Sequence, residues 1–318
     1  MRHAALRDYF CDKDAEALPE PESWALCLAW PDGDARHVDP MLDEGLAWWG
    51  SGVARPTMAA AQRRSGRILS ALYDTWTLHS WSQWIASRRP QPTGNTVVLH
   101  VDDHRDLASP RLFLEDGQWR DPITGASCSL TQPDSVQMAI ESGALGMGSF
   151  LTPFLHSFPK TEVRHLCQPP KVTATSDFRI ETTSQLDTLL DPSQSRPAIE
   201  LVETPGEIGP GYYRLTPDTN AWLDGLGDGP MLLHIDMDYF NNRFDGDTDW
   251  QTRPNLFDPP LDQIISKIDE VVDALRRTGV GARIEDIVVA YSPGFFPAEF
   301  WRPAEACLRP ALEQLYGH

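Results

Sequence analysis

TVVLHVDDHRD, residues 96–106, reads as an apolar β-strand that ends in closely spaced acidic and histidine side chains. Alternate side chains of a strand point to the same face of a sheet. Asp102, His104 and Asp106 therefore share one side if the chain stays extended after the strand. Three side chains that can each bind a metal ion would then point in one direction.

A second stretch, MLLHIDMDYF at residues 231–240, ends an apolar strand in Asp236 and Asp238. Ligands of open α/β sheets bind at the carboxyl ends of parallel strands. We therefore expect the acidic residues of both stretches to converge at one edge of a sheet. Such a convergence is the reason to predict an enzyme.

The C-terminal third predicts how the strands are connected. The strand at residues 231–236 leads through a long loop to a helix over about 261–277, whose aliphatic side chains form one stripe. A further strand, IVVAY, follows at 287–291. Strand–helix–strand units build parallel sheets. The prediction is a single catalytic domain over residues 1–318, α/β in class, with three α/β/α layers, a mostly parallel sheet and a metal site at the strand carboxyl ends.

The remaining segments predict the other elements. Residues 1–75 are expected to form short, tryptophan-rich elements packed on the core, and residues 62–89 a helix. Residues 133–143 combine a helix-start signal, apolar spacing and a final glycine, which predicts a second helix. A strand running into a loop is predicted at 146–156, and another strand at 198–203.

Composition narrows the class of protein. Hydrophobic residues at 41% and charged residues at 23% are ordinary for a soluble globular chain, and no apolar run approaches the roughly 20 residues that span a bilayer. The N-terminus is too charged for a secretory signal, so we expect a cytoplasmic protein without membrane contact. The five cysteines are scattered, which indicates free thiols. A net charge of −19 disfavours nucleic acid and favours cationic small molecules or basic peptides as partners.

The mixture of carboxylates and imidazoles indicates which metals would bind. These ligands suit Mn²⁺, Fe²⁺ or Zn²⁺ better than Ca²⁺ or a structural zinc. A catalytic zinc ion takes three protein ligands, so five or six ligands suggest two ions, about 3.5–4 Å apart and bridged by carboxylates. Such a pair makes hydroxide available near neutral pH, and hydroxide can attack the trigonal carbon of a guanidinium group or an amide.

The motif D-x-H-x-D after one strand, with D-x-D after a later one, resembles the arginase/deacetylase superfamily and in particular the ureohydrolases. In arginases an upstream histidine followed by serine completes the site, and here His79 with Ser80 lies 23 residues before Asp102. The resemblance implies two Mn²⁺ ions per chain. The ligands that it implies are His79, Asp102, His104, Asp106, Asp236 and Asp238.

The same resemblance implies roles within this ligand set. Asp102 and Asp236 would bridge the two ions. Asp106 would also orient the hydroxide and accept its proton, which makes it a catalytic residue.

A closer resemblance is to peptide arginases, which convert arginine to ornithine, with release of urea, within ribosomally made precursor peptides. It depends on LHIDMDYFNNRF at residues 233–244 and VAYSPGFFPAE at 289–299, and covers roughly residues 75–300. It implies an arginine-containing precursor peptide as substrate. The sequence leaves a homo-oligomer open.

Two parts of the arginase pattern are missing. Arginases bind the guanidinium with a glutamate on the last core strand, but IVVAY at 287–291 contains no acid. The candidates to replace it are Glu299, Glu203 and Glu207. The His-Gly proton-transfer segment is also absent, and His156 is either its replacement or an ordinary loop histidine.

Three further polar residues lie near the motif acids in the sequence. Asn242 either contacts substrate or caps a turn, and His100 and His234 are expected to lie in the core or behind the ligands.

Other interpretations remain. A single-zinc deacetylase of the same fold would need only Asp102, His104 and one later aspartate. The protein could instead hydrolyse a free guanidino compound, or be a non-catalytic metal-bearing scaffold for a basic leader peptide. A Y-family DNA polymerase shares H-I-D-M-D-x-F, but its motif belongs near the N-terminus, and the charge of −19 opposes DNA binding.

Overall fold

The computed structural model describes most of the chain. The described residues are 14–22, 24–29, 38–88, 95–115, 117–187, 190–246, 250–252 and 258–316. The charged N-terminal segment, residues 1–13, lies outside them.

Within these ranges the strands are β1 (Asp14–Pro19), β2 (Trp24–Ala29), β3 (Gln62–Ser65), β4 (Ile68–Ala71), β5 (Val97–Val101), β6 (Phe113–Glu115), β7 (Gln118–Arg120), β8 (Ser127–Cys128), β9 (Glu162–Leu166), β10 (Ser176–Leu186), β11 (Ser195–Glu203), β12 (Tyr212–Thr216), β13 (Met231–Asp236) and β14 (Ile284–Ala290). The α-helices are α1 (Leu42–Trp49), α2 (Trp76–Ser87), α3 (Pro133–Ser142), α4 (Leu151–Ser157), α5 (Thr219–Leu223), α6 (Leu261–Arg277) and α7 (Trp301–Tyr316). None of these described helices has the length and apolarity needed to cross a bilayer.

Nine strands form one sheet in the order β11-β10-β12-β9-β5-β13-β14-β4-β3. The six strands from β12 to β4 run parallel to one another. The pairings at the two ends of the sheet, β11 with β10, β10 with β12 and β4 with β3, are antiparallel. The mixed α/β class and the mostly parallel sheet are thus confirmed.

The central strands β5 and β13 are mostly apolar because a parallel strand in mid-sheet is covered on both faces. Every residue of β5 and of β13 is buried. Their register pairs His100 with His234 and Val101 with Ile235. Asp102 and Asp236 therefore leave neighbouring strands at the same level.

Helix α6 covers the predicted residues and buries the predicted stripe, including Ile264, Ile268 and Val271, except for Ile265, which is half-buried. It packs against α5 and α7, while α2 packs against α3. The predicted helix at 133–143 is also confirmed as α3, which ends where Gly143 takes the left-handed conformation at φ 88°.

Two predicted elements are wrong. Residues 62–71 form the hairpin β3–β4, and the helix begins only at Trp76. Pairing with the distant strand β14 holds β4 extended, which overrides its local apolar spacing. Residues 151–157 form α4 instead of a strand that runs into a loop.

Candidate metal centre

Four parallel strands end at the edge of the sheet where the acidic residues lie. β4 leads to Asp74, β5 to Asp102, β13 ends at Asp236, and β14 leads to Ser292. Because these strands are neighbours with matched registers, the loops that follow them meet. The site is thus built from segments that are far apart in the sequence.

Residues of the predicted motif D-x-H-x-D contact one another and also contact Asp238 of the second motif. Asp102 Oδ1 accepts the backbone N–H of His104 at 2.5 Å. The Nδ1 atom of His104 lies 2.9 Å from Asp238 Oδ2 and 3.6 Å from Asp102 Oδ1. These three residues present ligand atoms within 4.8 Å of one another, which is close enough to hold one metal ion.

A second group of candidate ligands, which shares Asp102 with the first, is fully buried. The ligand atoms of His100, Asp102, Asp106 and His234 also lie within 4.8 Å of one another. Asp102 Oδ2 and Asp106 Oδ2 are buried and make no hydrogen bond. Since buried polar atoms nearly always have a partner, two such oxygens mark a place where a cation fits.

The two buried histidines also support the loop. His100 Nε2 lies 3.0 Å from the carbonyl oxygen of His104, and its Nδ1 lies 3.1 Å from His234 Nδ1. Burial lowers the pKa of His100 to about 3 and that of His234 well below its ordinary value, so both rings are neutral. His100 then donates from Nε2 to the carbonyl and accepts at Nδ1 from His234.

The carboxylates repel one another in the absence of a cation. Burial raises the pKa of Asp102 well above its ordinary value, and the charges of Asp106, Asp238 and Asp236 add to the increase. Burial likewise raises the pKa of Asp236, with Asp238 as the next cause. Burial raises the pKa of Asp106 to about 6. A bound divalent cation would relieve this repulsion.

The pKa of His104 is raised, whereas the pKa values of the buried His100 and His234 are lowered. Burial alone would lower the pKa of His104, but the carboxylates of Asp238, Asp102 and Asp245 raise it far above its ordinary value. The ring is therefore an imidazolium in the metal-free protein. It shows how strongly this position attracts positive charge.

Asp236 is held by two hydrogen bonds. Its Oδ1 accepts the N–H of Asp238 at 3.1 Å, and its Oδ2 accepts the hydroxyl of Ser292 at 2.6 Å. Ser292 at φ 42° and Asp106 at φ 53° both take the left-handed conformation. Such conformations cost about 1–3 kcal/mol each and concentrate at functional sites.

Asp74, which no sequence pattern predicted as a ligand, follows β4 at the same edge of the sheet. Its Oδ2 accepts the N–H of Gly148 at 2.7 Å, and its charge is close enough to raise the pKa of Asp236. The available signal was an acid directly after the apolar run at 68–73. Because the same run also fits a helix, the sequence alone does not place Asp74 at the end of a strand.

A second network lies on the solvent side of His104. Asn242 Nδ2 donates to Asp103 Oδ2 at 2.6 Å and to Asp245 Oδ1 at 3.0 Å. The Lys171 ammonium lies 2.5 Å from Asp103 Oδ2. Asn242 is 3% exposed, and its amide is occupied by these neighbours and by the N–H of Asp245. It therefore positions two acids instead of facing a substrate.

His79 does not join the cluster. Its ring lies edge-on to Trp76 at 5.4 Å, and the next residue, Ser80, donates to Asp286 at 2.5 Å. Asp286 lies near the amino end of β14, at the opposite edge of the sheet. Because α2 begins near the site and runs back along the strands, His79 is carried away from the edge that Asp74 occupies.

Two other predicted residues lie far along the sheet. His156 Nε2 is 2.8 Å from the carbonyl oxygen of Ala198 in β11, and Glu203 ends the same strand. β11 is four strands from β5, which corresponds to ~19 Å at the usual strand spacing. His156 therefore cannot serve as a proton carrier for the cluster in this arrangement.

The remaining candidate acids are paired elsewhere. Glu207 accepts a hydrogen bond from the hydroxyl of Tyr212; Glu207 is exposed to solvent and Tyr212 is half-buried. Glu299 accepts from Arg243 at 2.7 Å. Neither glutamate lies among the cluster's ligand atoms.

The donor set fits a hard or borderline divalent cation. A thiol, Cys167, lies 3.9 Å from Asp103 Oδ1, but burial raises its pKa to about 12, so it remains protonated. The ligands are then carboxylate oxygens and imidazole nitrogens, which suit manganese, iron or zinc. No protein-family model and no curated protein matches the chain.

Proposed function

We propose that this protein is a metal-dependent hydrolase of the arginase type, which converts an arginine residue of a peptide to ornithine and releases urea. The observation that carries the proposal is the meeting of two acidic motifs at adjacent strand ends. Asp102 and Asp236 stand side by side there, and buried carboxylate oxygens lack hydrogen bonds. Two Mn²⁺ ions per chain and three α/β/α layers belong to the same proposal.

The packing of the helices supports the layered arrangement. α6 contacts both α5 and α7, whereas α2 contacts α3. Two separate groups of helices are what a sheet covered on both faces requires.

The proposed ligands are Asp74, Asp102, His104, Asp106, Asp236 and Asp238. Asp102, His104, Asp106 and Asp238 belong to two overlapping groups of candidate ligand atoms, and Asp236 and Asp74 are included because their charges act on the same set of carboxylates. Asp74 takes the place that the resemblance assigned to His79. Bound at this position, the metal ions would supply a hydroxide nucleophile near neutral pH.

The side chains of the protein would have separate roles in the reaction. Asp106 is the residue to which the resemblance gives the role of orienting the hydroxide and accepting its proton, and its buried Oδ2 makes no hydrogen bond with the protein. Ser292 and the N–H of Asp238 fix the carboxylate of Asp236. The charge of −19 draws a cationic peptide toward the site. Ribosomally made substrates would place the reaction in the cytoplasm.

The test is metal content together with urea release in the presence of Mn²⁺, from an arginine-containing peptide and from free arginine. The proposal expects two metal ions per chain and urea from the peptide. The Asp102→Asn variant should bind less metal and release no urea, whereas Asp273→Asn, on the exposed face of α6, should match the wild type.

Other outcomes separate the alternatives. Urea from free arginine alone would indicate a small-molecule ureohydrolase. One zinc ion with no urea would indicate a deacetylase, and peptide binding with no turnover a scaffold. Absence of bound metal would overturn the proposal.

A further inference from the structure

A hydrogen-bonded pair of side chains lies in the core next to the carboxyl end of β5. His165 is in β9, the neighbour of β5, and Tyr213 is in β12, the next strand along. The Tyr213 hydroxyl lies 2.6 Å from Nδ1 of His165, and Nε2 of His165 lies 2.9 Å from the backbone carbonyl oxygen of Asp102. Both side chains are buried. A continuous chain of hydrogen bonds therefore runs from β12 across β9 to the residue that follows β5.

The direction of each of these hydrogen bonds follows from its partners. A carbonyl oxygen only accepts, so Nε2 of His165 donates to Asp102. Burial lowers the pKa of His165 well below its ordinary value, so the ring is neutral and its Nδ1 accepts. Burial raises the pKa of Tyr213 well above its ordinary value, so the phenol keeps the proton that it donates. Tyr213 thus favours the tautomer of His165 that carries its proton on Nε2.

The backbone of Asp102 is held at both of its polar groups. Its N–H donates to the carbonyl oxygen of Leu166 at 3.1 Å, and its own carbonyl oxygen accepts from His165. Both partners belong to β9, so the chain stays attached to this strand one residue beyond the end of β5 at Val101. The carboxylate of Asp102 is shared by the two groups of candidate metal ligands. Fixing the backbone of this residue leaves its carboxylate few orientations.

A second buried histidine makes the same kind of contact two residues along the motif. His100 donates from Nε2 to the carbonyl oxygen of His104 and accepts at Nδ1 from His234. The rings of His100 and His165 are neighbours, with 4.5 Å between centroids. Two neutral imidazoles therefore bind backbone carbonyls of the motif D-x-H-x-D, one at its first residue and one at its third.

We propose that Tyr213 and His165 are positioning residues of the metal centre, which hold the backbone of Asp102 so that its carboxylate is presented to the metal ion. The inference rests on the proposed function, because it concerns the support of the same ligand set. Neither side chain belongs to a group of candidate ligands among the described residues. Both act through Asp102, and a ligand that is ordered before the metal arrives binds it more tightly.

The donor at position 165 can be removed or kept. His165→Leu removes the N–H, whereas His165→Gln keeps an amide N–H that can reach the same carbonyl. We expect the affinity for Mn²⁺, measured by competition with a chelator, to fall about tenfold in His165→Leu and to stay within about threefold of the wild type in His165→Gln. A role in packing alone predicts no rescue by glutamine, since both variants remove the buried ring. Wild-type affinity in His165→Leu would overturn the inference.

The hydroxyl of Tyr213 can be tested against another buried hydroxyl of the same strand. Tyr213→Phe keeps the ring and should lower the affinity for Mn²⁺ by roughly threefold to tenfold, because His165 loses its donor. The matched control is Thr216→Val, which removes a buried hydroxyl that lies 2.7 Å from Oγ1 of Thr175 and should leave the affinity unchanged. An equal loss in both variants would overturn the inference. If His165→Leu fails to fold, this comparison decides.

The tautomer of His165 gives a readout that requires neither metal nor turnover. The ¹⁵N chemical shifts of ring nitrogens in metal-free, histidine-labelled protein distinguish a protonated nitrogen from an unprotonated one. His165→Gln identifies the signals of His165 by their loss. We expect the proton on Nε2 in the wild type and a changed Nδ1 shift in Tyr213→Phe. A proton on Nδ1 in the wild type would overturn the inference.

The two proposals can fail separately. If the wild type binds metal but releases no urea, the proposed reaction fails, and a lower Mn²⁺ affinity of His165→Leu and Tyr213→Phe still supports the inference. If the wild type releases urea and both variants bind Mn²⁺ as tightly as the wild type, the inference is wrong and the proposed reaction stands. Melting temperatures of the metal-free variants check that the fold is retained.

Discussion

Asp245 Oδ1 lies 3.0 Å from Nε2 of His104, while Nδ1 of the same ring lies 2.9 Å from Asp238. One nitrogen thus faces the cluster and the other faces an acid outside it. Histidines that bind metals usually donate their second ring N–H to a carboxylate, which fixes the tautomer and the orientation of the ring. Asp245 is placed to do this for His104, although no motif in the sequence singled it out.

Removing the carboxylate of Asp245 should therefore weaken metal binding. We expect Asp245→Ala to lower the affinity for Mn²⁺ about 10–100-fold, as measured by competition with a chelator of known affinity. Asp273→Ala removes an equal charge from the exposed face of α6 and serves as the control. A similar loss in both variants would show a general effect of net charge instead of a role for Asp245.

Asp236 should influence the metal-free and metal-bound proteins in opposite directions. Burial and neighbouring charges raise its pKa, so an ionised Asp236 is unfavourable in the metal-free fold. Asp236→Asn should increase the free energy of unfolding in urea with EDTA present, and should decrease the stabilisation that added Mn²⁺ provides. A variant as responsive to Mn²⁺ as the wild type would remove Asp236 from the ligand set.

The stability of the metal-free protein should depend on pH through the cluster. A carboxyl group whose folded-state pKa is raised binds more protons in the folded chain than in the unfolded chain. Its contribution to the free energy of unfolding is therefore greatest at low pH and is lost as pH rises through the folded-state pKa. For Asp106 that pKa is about 6, against an unfolded value of 3.8.

Because the contribution of Asp106 to stability is lost as pH rises, its replacement by asparagine should change how stability depends on pH. In EDTA, the wild type should lose stability between pH 5 and pH 7 relative to Asp106→Asn, as measured by urea unfolding at each pH. Mn²⁺ affinity should increase over the same range, since the ligands must lose protons to bind metal. Parallel stability curves for the two proteins would contradict the raised pKa.

The sequence alone predicts the elements and acids whose signal lies within one short segment. β5 and β13 are short, mostly apolar runs, and the acids after each run are predicted as ligands from the pattern alone. α6 was found from its single apolar stripe. The structure brings Asp102, His104 and Asp238 together as those patterns predicted.

The sequence alone does not predict residues whose position in the fold depends on contacts between distant segments. β4 has only four residues, and it is held extended by β14, more than two hundred residues later. Without that pairing, the segment around Asp74 reads as the middle of a helix over residues 62–89. Asp245 lies in a loop without periodicity, so only the folded chain shows that it reaches His104.

Asp74 and His79 offer the sharpest test of the proposed ligand set, because the resemblance favoured one and the structure favours the other. Asp74 follows β4 at the carboxyl edge of the sheet, where its charge raises the pKa of Asp236, whereas the ring of His79 lies edge-on to Trp76. Asp74→Asn should lower the number of tightly bound Mn²⁺ ions and abolish urea release, while His79→Gln should keep the full metal content. Metal content by elemental analysis after dialysis distinguishes the two. If His79→Gln lost metal and Asp74→Asn did not, α2 would have to turn its histidine toward the cluster in the metal-bound protein, and the ligand assignment at the end of β4 would be wrong.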